Sequence, residues 1–138
     1  MTYIIGEIGQ NHNGSVDIAK LIVDVAARPV QESDFGLTLA PMNAVKLTKR
    51  DLQEELSASQ MARPYESPHA FGKTYGEHRA FLELSDEQHF EVYQYAKEKG
   101  LEFVDQTSMF TMASIHLPHT RLFKGMNTVA RWLPLGRM

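Results

Sequence analysis

The chain opens on a short apolar run, Tyr3-Ile4-Ile5-Gly6-Glu7-Ile8, whose branched residues and closing Gly9 predict a strand. After a polar stretch the rhythm changes. Val16, Ala19, Ile22, Val23 and Ala26 recur at helical spacing, and Ser15 stands where an N-cap belongs. Pro29 to Pro41 reads as a weakly ordered connection, Ala44 to Leu47 as a second brief strand, and Leu52 to Met61 as a helical piece. The stretch RPYESPHAFGKTYGEHR, Arg63 to Arg79, is broken by prolines and glycines and reads as an irregular loop of a length that usually serves function or motion. Ser85-Asp86-Glu87-Gln88 is a capping box, because Ser85 can accept from the amide of Gln88. It opens a helix to about Lys99 with Phe90, Tyr93 and Ala96 among its apolar positions. Gly100 ends that helix, and Leu101 to Asp105 reads as a third strand. The order β-α-β-α-β predicts an α/β fold with a parallel sheet and right-handed crossovers.

Composition narrows the class without changing this picture. At 138 residues the chain suits one domain with one core, and 43% hydrophobic with 22% charged residues is a globular balance. No apolar run is long enough for a membrane span and no signal-type leader is present, so the expectation is a soluble, cytoplasmic protein. The absence of cysteine rules out disulfides and thiolate metal sites, and a net charge of −3 gives no electrostatic reason to propose nucleic acid. The charge is uneven: residues 1–105 hold all 17 acids and 10 of the 14 Lys and Arg, while residues 106–138 hold four bases and no acid. This break marks 106–138 as a basic tail or as a stretch of different origin.

In a strand alternate side chains share a face, so Tyr3, Ile5 and Glu7 point one way, and Ala44 and Lys46 do the same on the second strand. Glu7 and Lys46 then fall on neighbouring strands near the carboxyl ends, where parallel α/β proteins bind ligands. A carboxylate and an ammonium there are a candidate proton carrier and anion binder; a structural ion pair is nearly as strong a reading. His12, between Asn11 and Asn13, is a candidate acid/base or sugar-binding group, against the alternative that Asn and Gly there serve turns. The other histidines lack metal-site spacing, and Pro118 separates His116 from His119. Lys49-Arg50 reads as a solvated pair or a phosphate contact, and Lys73 to Arg79 as loop surface or substrate contact.

The segments YIIGEIGQNHNG, NAVKLTKRDL, FGKTYGEHRAFLELS and KEKGLEFVD together resemble the N-terminal part of the sialic acid synthase family, over roughly residues 3–105. The resemblance implies the N-terminal portion of a (β/α)8 barrel. It also implies condensation of phosphoenolpyruvate with an N-acetylated aldose such as N-acetylmannosamine, giving a nine-carbon keto acid and phosphate. On that reading Glu7 is the acid/base group beside the aldehyde and Lys46 pairs with the carboxylate or phosphate of phosphoenolpyruvate. Gln10, Asn11, His12 and Asn13 line the sugar side, and Tyr75 and Arg79 approach the sugar from the long loop. A divalent ion, Mn2+ or Mg2+, polarises the aldehyde in the family.

Three strands cannot close a barrel that takes about 250 residues. The expectation is therefore an incomplete barrel over residues 1–105, followed by a tail, 106–138, unlike the family and set off by truncation or a frameshift. The family's two metal-binding histidines have no counterpart, so no metal ligand is assigned in this chain. The free chain is expected to be inactive and prone to self-association through unpaired strand edges. Alternatives are a non-catalytic sugar- or phosphate-binding module and another phosphoenolpyruvate-aldose synthase, with neither membrane nor nucleic acid as partner.

Overall fold

The structure is a computed structural model that describes residues 2–107, with side chains to residue 105, and the backbone of residues 120–121, 130–131 and 133–134. The expectations for His116, His119 and the character of the tail lie outside the described residues.

Strand β1 (Ile5–Gly9) is followed by helix α1 (Val16–Ala26), whose cap is Ser15, its side chain accepting from the amide of Ile18. A small antiparallel pair, β2 (Val30–Glu32) and β3 (Leu37–Leu39), then leads into β4 (Ala44–Lys49). Short helices α2 (Leu52–Glu55) and α3 (Ala58–Met61), then α4 (Tyr75–Leu82) and α5 (Asp86–Glu98), precede β5 (Glu102–Thr107). Strands β1, β4 and β5 are parallel neighbours in that order, as the β-α-β-α-β reading requires. The segments β6 (Thr120–Arg121), β7 (Ala130–Arg131) and β8 (Leu133–Pro134) follow; β7 adds to the far side of β5 in antiparallel sense, a departure from an all-parallel sheet.

Three further differences have local causes. The connection after Pro29 is ordered as the β2–β3 hairpin, with Gly36 supplying a positive φ of 61° in its turn. The helical piece at 52–61 is two helices, because Leu56 and Ser57 are extended and Ser57 starts a capping box with Gln60. Tyr75 and Arg79 stand on a helix, not in a loop: Thr74 and Glu77 form a reciprocal capping box that starts α4. Gly76 inside that helix lets α4 lie against Met61, whose carbonyl and side chain would meet any Cβ there.

One face of the sheet is covered by helices. Ile8, Val45, Leu47, Leu101 and Phe103 pack against Ala19, Val23 and Ala26 of α1 and Val92 and Ala96 of α5. The helical stripe of α5 is His89, Val92 and Ala96, one residue displaced from the Phe90 and Tyr93 expected; those two rings flank the core, half-buried. The second face carries Ile5, Glu7, Ala44, Lys46 and Val104, by strand alternation and the observed register. Among the described residues no helix is long and apolar enough to cross a membrane.

Candidate functional site at the strand ends

Glu7 and Lys46 are direct partners in the β1–β4 ladder, and the Lys46 ammonium lies 2.5 Å from the Glu7 carboxylate. The Glu7 side chain is 52% exposed and that of Lys46 21%. A carboxylate held this way remains open to solvent and to a ligand, so the pair is not the buried structural bridge of the alternative reading. Just beyond Glu7 the register slips between Glu7 and Gly9; Gly9, paired with Leu47, is the last residue of β1 before the polar loop.

That loop is a run of tight turns. The amides of Asn11, Asn13 and Ser15 donate to the carbonyls of Ile8, Gln10 and His12, at 2.9–3.1 Å. Left-handed backbone at Gly9, Asn13 and Gly14, with φ of 53°, 50° and 74°, makes the run possible. The Asn11 side-chain amide donates to the Ile8 carbonyl. His12 is 1% exposed, and its Nδ1 accepts from the amide of Gly14. Burial lowers its pKa, against a backbone bond to Gly9 that raises it, so the ring is neutral at pH 7. His12 is thus a strut inside the loop, while Asn11 and Asn13 are exposed on its surface. A Cβ at Gly14 would strike the Phe81 carbonyl, so the loop lies tight against the end of α4.

Gln10 joins that loop to the following elements. Its carbonyl oxygen accepts from the Arg79 guanidinium at 2.7 Å and its amide donates to Glu83 at 3.1 Å. Glu83 also accepts from the Arg50 amide at 3.1 Å. Burial raises the Glu83 pKa, opposed by that amide and by Lys49, Arg79 and Arg50. Glu83 is the junction of three chain segments and no motif reading singled it out; its sequence signal is weak, one acid between Leu82 and Leu84. Arg79 in turn lies 5.8 Å from the Tyr75 ring centroid. Gln10, Tyr75 and Arg79 are therefore one connected group. No contact joins them directly to Glu7 and Lys46, which share the second sheet face.

Lys49 and Arg50 are not a solvated pair. The Lys49 ammonium donates to the Leu84 carbonyl at 2.6 Å and pairs with Asp86, and Arg50 pairs with Glu55. On the helix-covered face lies a second acid-base pair that the sequence reading missed: Asp105, fully buried, 3.6 Å from His89 Nε2 on α5. Among the described residues neither carboxylate oxygen nor that nitrogen has a hydrogen-bond partner. Desolvation pushes the Asp105 carboxyl up to about 7, against Lys49, and pushes His89 down to about 4, helped by Lys49 and His12 and opposed by Asp86.

Among the described residues no group of three His, Asp or Glu side chains could hold a metal ion. The described residues form no cradle for the divalent ion that the resemblance implies.

Parallel strands with helices on one face, and a carboxylate-ammonium pair near the strands' carboxyl ends, define an α/β protein of the kind that binds ligands at that end of the sheet. The chain belongs to the NeuB family, the sialic acid synthases, which it matches over residues 38–124. That match runs past Asp105, so the resemblance extends into the acid-free segment where the motifs faded. The N-acetylneuraminate-9-phosphate synthase of Drosophila melanogaster is 35% identical over 127 residues, covering 89% of this chain and 31% of that protein. The Homo sapiens enzyme of the same name is 34% identical, covering 89% and 32%. The chain thus spans about a third of the length of these relatives. The crystal structure of N-acetylneuraminic acid synthetase from Leptospira borgpetersenii, in complex with citrate, shares the fold: TM-score 0.50 at 18% identity, over 79% of this chain and 30% of that one.

Proposed function

We propose that this chain supplies one corner of the site of a sialic acid synthase. The reaction, assigned to the whole protein, is condensation of phosphoenolpyruvate with an N-acetylated aldose to a nonulosonic acid and phosphate. The β1-β4-β5 unit with its helices is read as the first portion of a (β/α)8 barrel, with residues 1–105 as its body, while the family match reaches residue 124. The carrying observation is the cross-strand pair Glu7–Lys46, in register on parallel strands and accessible at the carboxyl end of the sheet. Family membership and the relatives' names support the chemistry.

In this reading Lys46 neutralises the carboxylate or phosphate of phosphoenolpyruvate, Glu7 gives a proton to the aldehyde oxygen as carbon 3 attacks, and water adds at carbon 2 before phosphate leaves. Lys46 pairs with Glu7 until the anionic substrate arrives and competes for the ammonium. Asn11 and Asn13 offer exposed amides to the sugar hydroxyls, Gln10 and His12 hold the loop that presents them, and Tyr75 and Arg79 flank it. A divalent ion would supply Lewis acidity in the family's reaction, from ligands other than the residues described.

The test is calorimetric binding of phosphoenolpyruvate, followed by phosphate release with N-acetylmannosamine, free or 6-phosphorylated, and Mn2+. Lys46→Gln should weaken phosphoenolpyruvate binding about tenfold, the worth of one charge-assisted hydrogen bond. Any turnover should fall about 10²- to 10⁴-fold in Glu7→Gln, as expected for loss of an acid/base group. Phosphoenolpyruvate binding that ignores Lys46 would remove the assignment.

A further inference from the structure

Glu83 takes no part in the proposed chemistry, yet it sits where the two strands that carry Glu7 and Lys46 part company. The β1–β4 ladder stops at the pair Gly9 and Leu47. Beyond it, among the described residues, no hydrogen bond runs directly from residues 10–15 to residues 48–51. Glu83 spans that gap with one oxygen for each side: Oε1 accepts from the Gln10 side-chain amide and Oε2 from the Arg50 backbone amide, both at 3.1 Å.

Its backbone is anchored for this. Glu83 caps the end of α4 in an extended conformation, φ −78° and ψ 134°, between Leu82 and Leu84, which are both buried. Three cations act on its charge, and each has another partner: Lys49 has the Leu84 carbonyl and Asp86, Arg50 has Glu55, and Arg79 has Gln10. Glu83 therefore spends its oxygens on uncharged N–H groups of two chain segments, as a tie does and a simple ion pair does not. The same contacts decide which way Gln10 faces. Its oxygen takes the Arg79 guanidinium at 2.7 Å and its NH2 group takes Glu83. The reverse orientation would set NH2 against a cation and oxygen against an anion. A carboxylate at position 83 serves both donors, whereas an amide of the same shape points its own NH2 group at one of them.

We infer that Glu83 is a positioning residue: it ties the loop after β1 to the end of β4, sets the orientation of Gln10, and so holds Asn11 and Asn13 in place beside the Glu7–Lys46 pair. It rests on the reading above in taking that loop to face the sugar; the tie itself does not.

The test is hydrogen exchange by NMR on the full chain, with Glu83→Gln, Gln10→Glu and the two combined. The amides of Asn13 and Ser15, bonded to the carbonyls of Gln10 and His12, report on the loop, and those of Val92 and Ala96 in α5 report on global opening. Glu83→Gln preserves volume and should speed loop exchange about tenfold relative to α5, the loss of one charge-assisted hydrogen bond. Gln10→Glu alone sets two carboxylates together and should also speed it. In the double variant the carboxylate at position 10 accepts from Arg79 and from the new amide at position 83, whose oxygen accepts from Arg50. Loop exchange should then return toward the parent rate. A role confined to overall stability would speed loop and α5 alike and show no rescue. Loop exchange unchanged in Glu83→Gln, or no slower in the double variant than in the singles, would overturn the inference. Calorimetry with N-acetylmannosamine separates it from the synthase reading: affinity should fall about tenfold in Glu83→Gln and return in the double variant. A parent chain that does not bind the sugar, or binding indifferent to a loosened loop, would overturn the sugar-facing reading and leave the tie in place. Sugar binding by the parent with loop exchange unchanged in Glu83→Gln would do the reverse.

Discussion

The two faces of one sheet carry two acid-base pairs under opposite conditions. On one, Glu7 and Lys46 meet at 2.5 Å with the carboxylate half in solvent. On the other, Asp105 and His89 lie 3.6 Å apart beneath α5, with three polar atoms lacking partners. The first pair lies partly in water. The second sheds charge, since burial favours a protonated acid and a neutral imidazole. Residue type alone therefore does not mark a working acid: one pair is open to solvent, whereas the other is enclosed between sheet and helix.

The largest test of this contrast is volume. Leu47→Ala, at a position with no exposure on the covered face, should cost about 2–5 kcal/mol in urea unfolding. Ile5→Ala, 43% exposed on the second face, should cost much less. Equal losses would break the distinction between the faces.

The next effect is a pH slope. A folded Asp105 that binds its proton up to about 7, against 3.8 unfolded, contributes stability that is full below 3.8 and lost as pH rises to about 7. Neutral His89, at about 4 against 6.5, contributes stability that is lost as pH falls from 6.5 to 4. These slopes nearly cancel between pH 4 and 6.5. Relative to the parent chain, Asp105→Asn should gain stability with rising pH across that window. His89→Gln should lose it up to pH 7, each by at most about 1.4 kcal/mol per pH unit. Variants that follow the parent profile would show that the pair does not titrate as a unit.

The smallest effect concerns the exposed pair. Glu7→Gln and Lys46→Gln should each shift stability by no more than about 1 kcal/mol, as solvated ion pairs do, while ligand binding falls. A large loss of stability in either would recast the pair as structural.

The elements that local sequence chemistry dictates were legible: the Ser15 and Ser85 caps, the stripe of α1, and the alternation that puts Glu7 opposite Lys46. Helix α4 was hidden because Pro64, Pro68 and Gly72 closely precede its capping box and Gly76 sits in its first turn, where a contact with Met61 and not local propensity explains it. The β2–β3 hairpin escaped because its six paired residues are mostly exposed and carry little apolar pattern. Asp105 was within reach, since Leu101 and Phe103 share its face by alternation; its partner required knowing that the buried stripe of α5 begins at His89. Glu83 gains its meaning from Gln10 and Arg50, partners 73 and 33 residues away, which no local pattern encodes.

The close approach of Gly14 to the Phe81 carbonyl bears on how freely this loop can be rewritten. Asn11 and Asn13 are exposed, but Asn11 bonds the Ile8 carbonyl and Asn13 holds a left-handed backbone that few other residues accept. Position 14 has less latitude still: a side chain there would wedge the loop from α4 and pull Gln10 away from Arg79. A single atom's clearance at the base of the loop thus keeps it in step with α4.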